Sequence, residues 1–219
     1  MYIIIVANSP FFDAAPFAAL LRAADLVIAA DGGGNALYTI RFVPHLVVGD
    51  LDSLNVAIES WFAAAGAEIR RYPAEKDETD LELALLLAVE RGATRIDILG
   101  AFGGRWDQSL SNVALLALPE LNSCRVRLLD VDQEAYLVRD AAEIWGSPGD
   151  TVSLLPVGGA AYGVTTQGLQ YSLHDATLYY ERSRGVSNIL MVSSGHVHLR
   201  SGLLLIIRSF SHQAPTAPQ

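Results

Sequence analysis

The sequence predicts an α/β protein: a mainly parallel sheet with flanking helices, followed by a smaller antiparallel β-sandwich-like domain. Three observations carry this. Residues 2–129 alternate short apolar runs with stretches of helical spacing. After about residue 133 the helical spacing fades, and short alternating runs punctuated by Gly, Ser and Thr take over. Of the 219 residues 51% are apolar, enough to bury a substantial core.

The first strands are YIIIVA (2–7) and LVIAA (26–30), continuous apolar runs of the kind buried on both faces of a parallel sheet. HLVVG (45–49), AEIRRY (67–72), RIDILG (95–100) and CRVRLL (124–129) repeat the theme. Between them PFAALLRAA, NALYTI, VAIESWFAAAG, DLELALLLAVERG and SLSNVALLAL space their apolar residues as helices do. Together they predict a Rossmann-like layered domain over residues 1–133. The remainder, 134–219, holds TVSLLPV, ATLYYE and ILMVSSGHVHLRSGLLLIIRSF, short strands of an antiparallel domain. The boundary falls within 130–143 without an obvious flexible linker, and SHQAPTAPQ at the end reads as a loose tail.

Charge narrows the function classes. The net charge is −9, which argues against a nucleic-acid surface. Residues 1–131 carry 17 acidic and 10 basic side chains against 7 and 5 in the rest, so the acidic excess sits in the first part. The single cysteine, Cys124, excludes a disulfide within the chain and reads as a small core residue. MYIIIVANSP lacks the basic start of a signal peptide, and no apolar stretch approaches the roughly 18 residues of a membrane helix. A soluble cytoplasmic protein without membrane or nucleic-acid partners is expected.

Polar clusters stand at four strand ends, and in a parallel sheet these converge on one edge, where ligands collect. AADGGGN supplies Asp31 and three glycines that allow close approach of a ligand. GDLDS supplies Asp50 and Asp52, two apart and so on one side of an extended chain. EKDETD supplies Lys76, Asp77, Thr79 and Asp80, and GAFGGRWDQSLSN supplies Arg105, Asp107 and Asn112. Like charges held together call for a cation, and an oxygen-only donor set suits Mg²⁺ with a phosphate nearby. Lys76 is the one lysine beside 14 arginines, and it lies inside the acidic cluster. A compact ammonium there suits a single phosphate oxygen. Thr79 and Glu82 also have the spacing of a capping box, and aspartates at strand ends commonly form turns. His196 and His198 share one strand face but lack a nearby third ligand in the sequence.

Taken together, ADGG, GDLDS, KDETD, GGRWDQ and the downstream RGVSN (184–188) resemble the thiamine pyrophosphokinase family over about residues 2–209. The resemblance implies transfer of the pyrophosphoryl group of ATP to the hydroxyl of thiamine, giving thiamine diphosphate and AMP. It implies a homodimer with an active site between subunits. By motif, Asp50, Asp52 and Asp80 would hold Mg²⁺ with Asp31 close by, and Lys76, Thr79 and Arg105 would contact phosphates. Asp107 would sit near the reacting centre, Asn112 would belong to the substrate site, and Ser187 with Asn188 would bind thiamine. Many bacterial members read Asp-His where this chain has Asp107-Gln108. Two other readings stay open on the residues alone: another Mg²⁺-dependent nucleotide pyrophosphotransferase or hydrolase, and a non-catalytic thiamine- or nucleotide-binding protein.

Overall fold

In the computed structural model, residues 1–211 are described, and the chain divides after Leu129 into two compact units. All but the first residue of the expected tail lies outside the described residues.

The first unit holds six strands: β1 (Tyr2–Val6), β2 (Leu26–Ala30), β3 (Leu46–Gly49), β4 (Glu68–Arg71), β5 (Arg95–Leu99) and β6 (Arg125–Leu129). Their order is β6-β5-β1-β2-β3-β4, and every neighbouring pair is parallel. β1, β2, β3 and β5 are buried almost throughout, as continuous apolar runs require when both faces are covered. The helices are α1 (Ala18–Ala23), α2 (Gly33–Thr39), α3 (Val56–Ala64), α4 (Asp80–Glu90) and α5 (Trp106–Leu115). α4 lies against β1, β2 and β3, burying Leu81, Ala84, Leu85 and Ala88. Edge strand β4 is polar instead: Glu68 pairs with Arg70 and Arg91, the usual protection of an unpaired strand edge.

Strand order reverses at β1, with β2–β4 added on one side and β5–β6 on the other. The crevice beyond the carboxyl ends of β1 and β5 is therefore a topological switch point, where open α/β sheets bind ligands.

The second unit contains β7 (Gln133–Val138), β8 (Ala141–Trp145), β9 (Thr151–Pro156), β10 (Ala161–Gln167), β11 (Ala176–Leu178), β12 (Asn188–Ile189), β13 (Ser194–His198) and β14 (Leu204–Ser209). β12-β9-β14-β7 and β11-β10-β13-β8 form two antiparallel layers. They share one core, in which Val152, Leu154 and Ile206 of the first layer meet Ile144, Val164 and Val197 of the second. Alternating burial along β9 and β13 gives each strand one core face and one outer face.

Candidate active site

A cavity of about 610 Å³ opens at the switch point. Its walls come from the loops that leave β1, β2, β3 and β5 and from the start of α4. The four polar clusters read from the sequence all contribute to it, through Asp31, Asp50, Asp52, Lys76, Asp80 and Arg105 among others.

Asp31 follows β2 directly, with a left-handed φ of 45° and 4% exposure. Its N–H donates to Val48 O (2.8 Å), and its Oδ1 accepts from Ser53 N–H (3.2 Å). Burial pushes its carboxyl above the ordinary range; hydrogen bonds from Gly32 and Ser53 pull the other way, and Asp80 adds to the rise. The adjoining glycines are demanded by the protein's own packing. A Cβ on Gly33 would stand 2.0 Å from Val6 O, and one on Gly34 2.8 Å from Leu54 Cδ1. The absent side chains let α2 sit directly against the end of β1.

Asp50 and Asp52 do face one place, but not by the alternation of an extended strand. β3 stops at Gly49, and Leu51 between the two aspartates has φ 64°. The chain turns, Asp52 N–H donates to Asp50 Oδ1 (3.2 Å), and Leu51 is buried beneath. Arg71 Nη1 donates to Asp50 O (2.8 Å) and steadies the turn from β4. One carboxylate oxygen each from Asp31, Asp50 and Asp52 lie within 4.8 Å of one another.

Asp80, assigned to the metal by motif, lines the same cavity and stands beside Lys76. Lys76 Nζ stands 3.1 Å from Asp80 Oδ1 and 3.7 Å from Asp50 Oδ2, an i,i+4 pair at the head of α4. Asp80 Oδ1 is buried, and its close polar neighbour is the Lys76 ammonium. Burial lowers the Lys76 pKa, but Asp80 and Asp50 outweigh it and hold the ammonium above its ordinary range. Thr79 caps α4, its Oγ1 accepting from Glu82 N–H (3.2 Å), so the capping reading holds while Thr79 also lines the cavity.

Arg105 precedes α5 and is 73% exposed at the side chain, where its Nε donates to Asp107 Oδ1 (3.1 Å) and Nη2 to Oδ2. The guanidinium holds Asp107 below the usual carboxylate range. Arg105 and Gln108 line the cavity; Asp107 is turned to its partner and is not among the lining residues. Buried Asn112 donates from Nδ2 to Ala101 O (2.7 Å), tying α5 to the loop that carries Arg105. Its observed contact is thus with backbone.

Ser187 and Asn188 belong to the second unit. Ser187 is exposed with φ 58°, and its N–H donates to Ser153 Oγ (3.1 Å). Asn188 is buried, its Oδ1 accepting from Tyr171 N–H (2.9 Å) and its Nδ2 donating to Tyr171 O (2.8 Å). A family model described as the catalytic domain of thiamin pyrophosphokinase matches residues 17–128, and its vitamin B1 binding domain matches 137–204.

The chain belongs to the thiamine pyrophosphokinase family. It is 29% identical to a thiamine pyrophosphokinase of Bacillus subtilis over 84% of this chain and 87% of that one. Thiamine pyrophosphokinase 1 of rice is 26% identical over 94% and 86% of the two chains. The crystal structure of the Bacillus subtilis thiamine pyrophosphokinase superposes with a TM-score of 0.84 at 28% identity, covering 97% and 100%. Yeast thiamin pyrophosphokinase shares the fold, with a TM-score of 0.81 at 18% identity over 95% and 86%.

Against this family frame, one wall of the cavity went unread in the sequence. Asn8 and Ser9, in the ANSP that follows β1, line it. The signal was their position at the carboxyl end of a central strand, not their residue types. Ser9 also sets the shape of the opposite loop: a Cβ on Gly103, which has φ 108°, would lie 2.8 Å from Ser9 Oγ. No helix among the described residues is long and apolar enough to cross a membrane.

Proposed function

We propose that the chain transfers the pyrophosphoryl group of ATP to the hydroxyl of thiamine, releasing AMP and thiamine diphosphate, and does so with Mg²⁺ as a homodimer. The observation that carries this reading is the meeting of Asp31, Asp50 and Asp52 with Lys76 in one cavity at the switch point. Three carboxylates of the hard-oxygen type beside a lone ammonium leave a net negative pocket, which fits Mg²⁺ and the phosphates it accompanies. When bound, the ion neutralises phosphate charge and aligns the phosphate oxygens.

The chain's own residues supply the rest. Asp31, Asp50 and Asp52 would hold the cation, and Lys76 would present its ammonium to a phosphate oxygen. Arg105 is exposed beside the cavity and needs only to exchange its carboxylate partner for phosphate to serve as a second cation. Asp107, released from Arg105 by that exchange, returns toward ordinary carboxylate basicity and is then free to accept or orient the proton of the attacking hydroxyl. Ser187 offers an exposed hydroxyl for thiamine, and Asn188 fixes the neighbouring chain at Tyr171. The overall negative charge suits a cationic substrate.

The deciding experiment incubates the chain with ATP and Mg²⁺, with and without thiamine, and follows AMP and thiamine diphosphate together. Equal formation of both, dependent on thiamine, is expected. AMP release indifferent to thiamine would overturn the reading in favour of a hydrolase, and binding of both substrates without product would mark a non-catalytic protein.

A further inference from the structure

His196 and His198 alone are an ordinary pair on a strand; the fold adds what the sequence lacked. On β13 they alternate with buried Val197, so both imidazoles stand on the outer face of the smaller layer, two residues and so roughly 6.6 Å apart along an extended strand. The neighbouring strand β8 sets Glu143 directly opposite His196 and Ala141 directly opposite His198. Glu143 Oε1 is 4.0 Å from His196 Nδ1, and each side chain is about half exposed. On the other flank, β10 places Gln167 against His196 and Thr165 against His198. These residues line a concavity of about 550 Å³.

We propose that His196, His198 and Glu143 form a binding site for a borderline divalent transition cation such as Zn²⁺, on the outer face of the second unit. Two imidazoles and one carboxylate, with an open fourth position, are the donor set that Zn²⁺ takes in exposed sites. Ligands about 2.0–2.1 Å from a tetrahedral ion stand about 3.3 Å from one another. Glu143 and His196 are near that at 4.0 Å, whereas the ligand atoms of all three residues do not yet lie within 4.8 Å of one another, so ion binding requires the His198 side chain to turn toward the pair. The small side chain of Ala141 leaves the space beside His198 and Glu143 unfilled. The donor type separates this site from the carboxylate cluster of the first unit: imidazole selects Zn²⁺ and its neighbours in the series, whereas Mg²⁺ prefers oxygen alone. A bound ion would link β8 to β13 and stabilise the second unit whether or not the chain is turning over.

The test titrates Zn²⁺ calorimetrically into the full chain in saturating Mg²⁺, which engages the carboxylates. One Mg²⁺-resistant Zn²⁺ per chain is expected, with a rise in the thermal transition. Co²⁺ in its place should show the intense visible bands of a four-coordinate, nitrogen-ligated ion. His196→Ala, His198→Ala and Glu143→Gln should each lower the affinity at least about tenfold, as the loss of even a supporting group does at metal sites. All three side chains are exposed, and far-ultraviolet circular dichroism checks that the variants keep their fold. Independently of any variant, Zn²⁺ should shield both imidazoles of the parent protein from diethylpyrocarbonate. No Mg²⁺-resistant binding in the parent, unchanged affinity and Co²⁺ spectrum in His196→Ala/His198→Ala, or unshielded imidazoles would each overturn the proposal.

Discussion

Asn188 holds Tyr171 by both of its backbone groups, accepting from its N–H at 2.9 Å and donating to its carbonyl at 2.8 Å. The amide is 4% exposed, so this side chain works as an internal clamp between β12 and the segment after β10. The adjacent Ser187 is its opposite, with an exposed side chain and its backbone N–H donating to Ser153 Oγ.

Neighbouring substitutions should therefore separate stability from binding. Asn188→Ala strands two backbone groups of Tyr171 and should cost about 1–3 kcal/mol in urea denaturation. Asn188→Asp keeps the acceptor and loses the donor, so it should fall between. Ser187→Ala should leave stability within about 0.5 kcal/mol and raise the KM for thiamine, not that for ATP, by a few-fold to about tenfold. An equal rise in both KM values, measured by varying each substrate in turn, would remove Ser187 from the thiamine pocket.

Lys76 faces Asp80 and Asp50 in a space shaped for a compact ammonium. Lys76→Arg keeps the charge but inserts a larger planar fork, and it should lower kcat/KM by at least about tenfold. Lys76→Ala leaves buried Asp80 Oδ1 facing Asp50 without its cation and should cost about 10²–10³ in kcat. Parent-like turnover of the arginine variant would show that only the charge matters there.

Acid should weaken the first unit through Asp97, a fully buried carboxylate on β5. It accepts from Arg127 Nε (2.7 Å) and Nη2 (2.9 Å), from Arg95 Nη2 (3.0 Å) and from Tyr2 OH (2.7 Å). Burial would raise its pKa, but the bonds from Arg127 and Tyr2 and the charge of Arg95 together hold it below the ordinary 3.8. Unfolding restores the ordinary value, so the unfolded chain binds the extra proton. The stabilisation is complete above about pH 4 and is lost as pH falls through the native pKa. Asp97→Asn should be less stable by about 3 kcal/mol at pH 7, and its stability should decline less between pH 5 and 3. Asp150 is also held below its ordinary range despite burial, through bonds from Ser211, Ser147 and Arg208, so some acid sensitivity should remain. Denaturant midpoints across that range measure both effects.

The parallel strands were legible because β1, β2, β3 and β5 are buried on both faces and so are written as unbroken apolar runs. The meeting of the polar loops followed from strand direction alone. What the sequence did not reveal was long-range or conformational. Asp31 and Asp80 are equally plausible ligands as letters, and only the folded chain sets Asp31 beside Asp50 and Asp52 and Lys76 beside Asp80. Leu51 gives no local sign of its left-handed backbone, and Asn188 gives none of its commitment to Tyr171, 17 residues away. Glu143 meets His196 only through strand register, which no spacing along the chain records.

That separation of Asp31 from Asp80 makes the sharpest prediction. Asp31, Asp50 and Asp52 have oxygens within 4.8 Å of one another, whereas Asp80 Oδ1 faces the Lys76 ammonium at 3.1 Å. The first three should therefore set affinity for the cation, and Asp80 should set the position of Lys76. Asp31→Asn, Asp50→Asn and Asp52→Asn should each raise the Mg²⁺ concentration for half-maximal activity at least about tenfold, equivalent to about 1.4 kcal/mol. Asp80→Asn should leave that concentration close to the parent's and lower kcat/KM for ATP instead. Mn²⁺ binding followed by electron paramagnetic resonance without nucleotide reads the cation site apart from turnover, and it should weaken in the first three variants only. Because three carboxylates stand within 4.8 Å of one another, Asp31→Asn should also stabilise the chain measured in chelator, while abolishing the extra stability that Mg²⁺ is expected to give the parent. Loss of Mn²⁺ binding in Asp80→Asn with retention in Asp31→Asn would instead restore Asp80 as a ligand and leave Asp31 a turn residue.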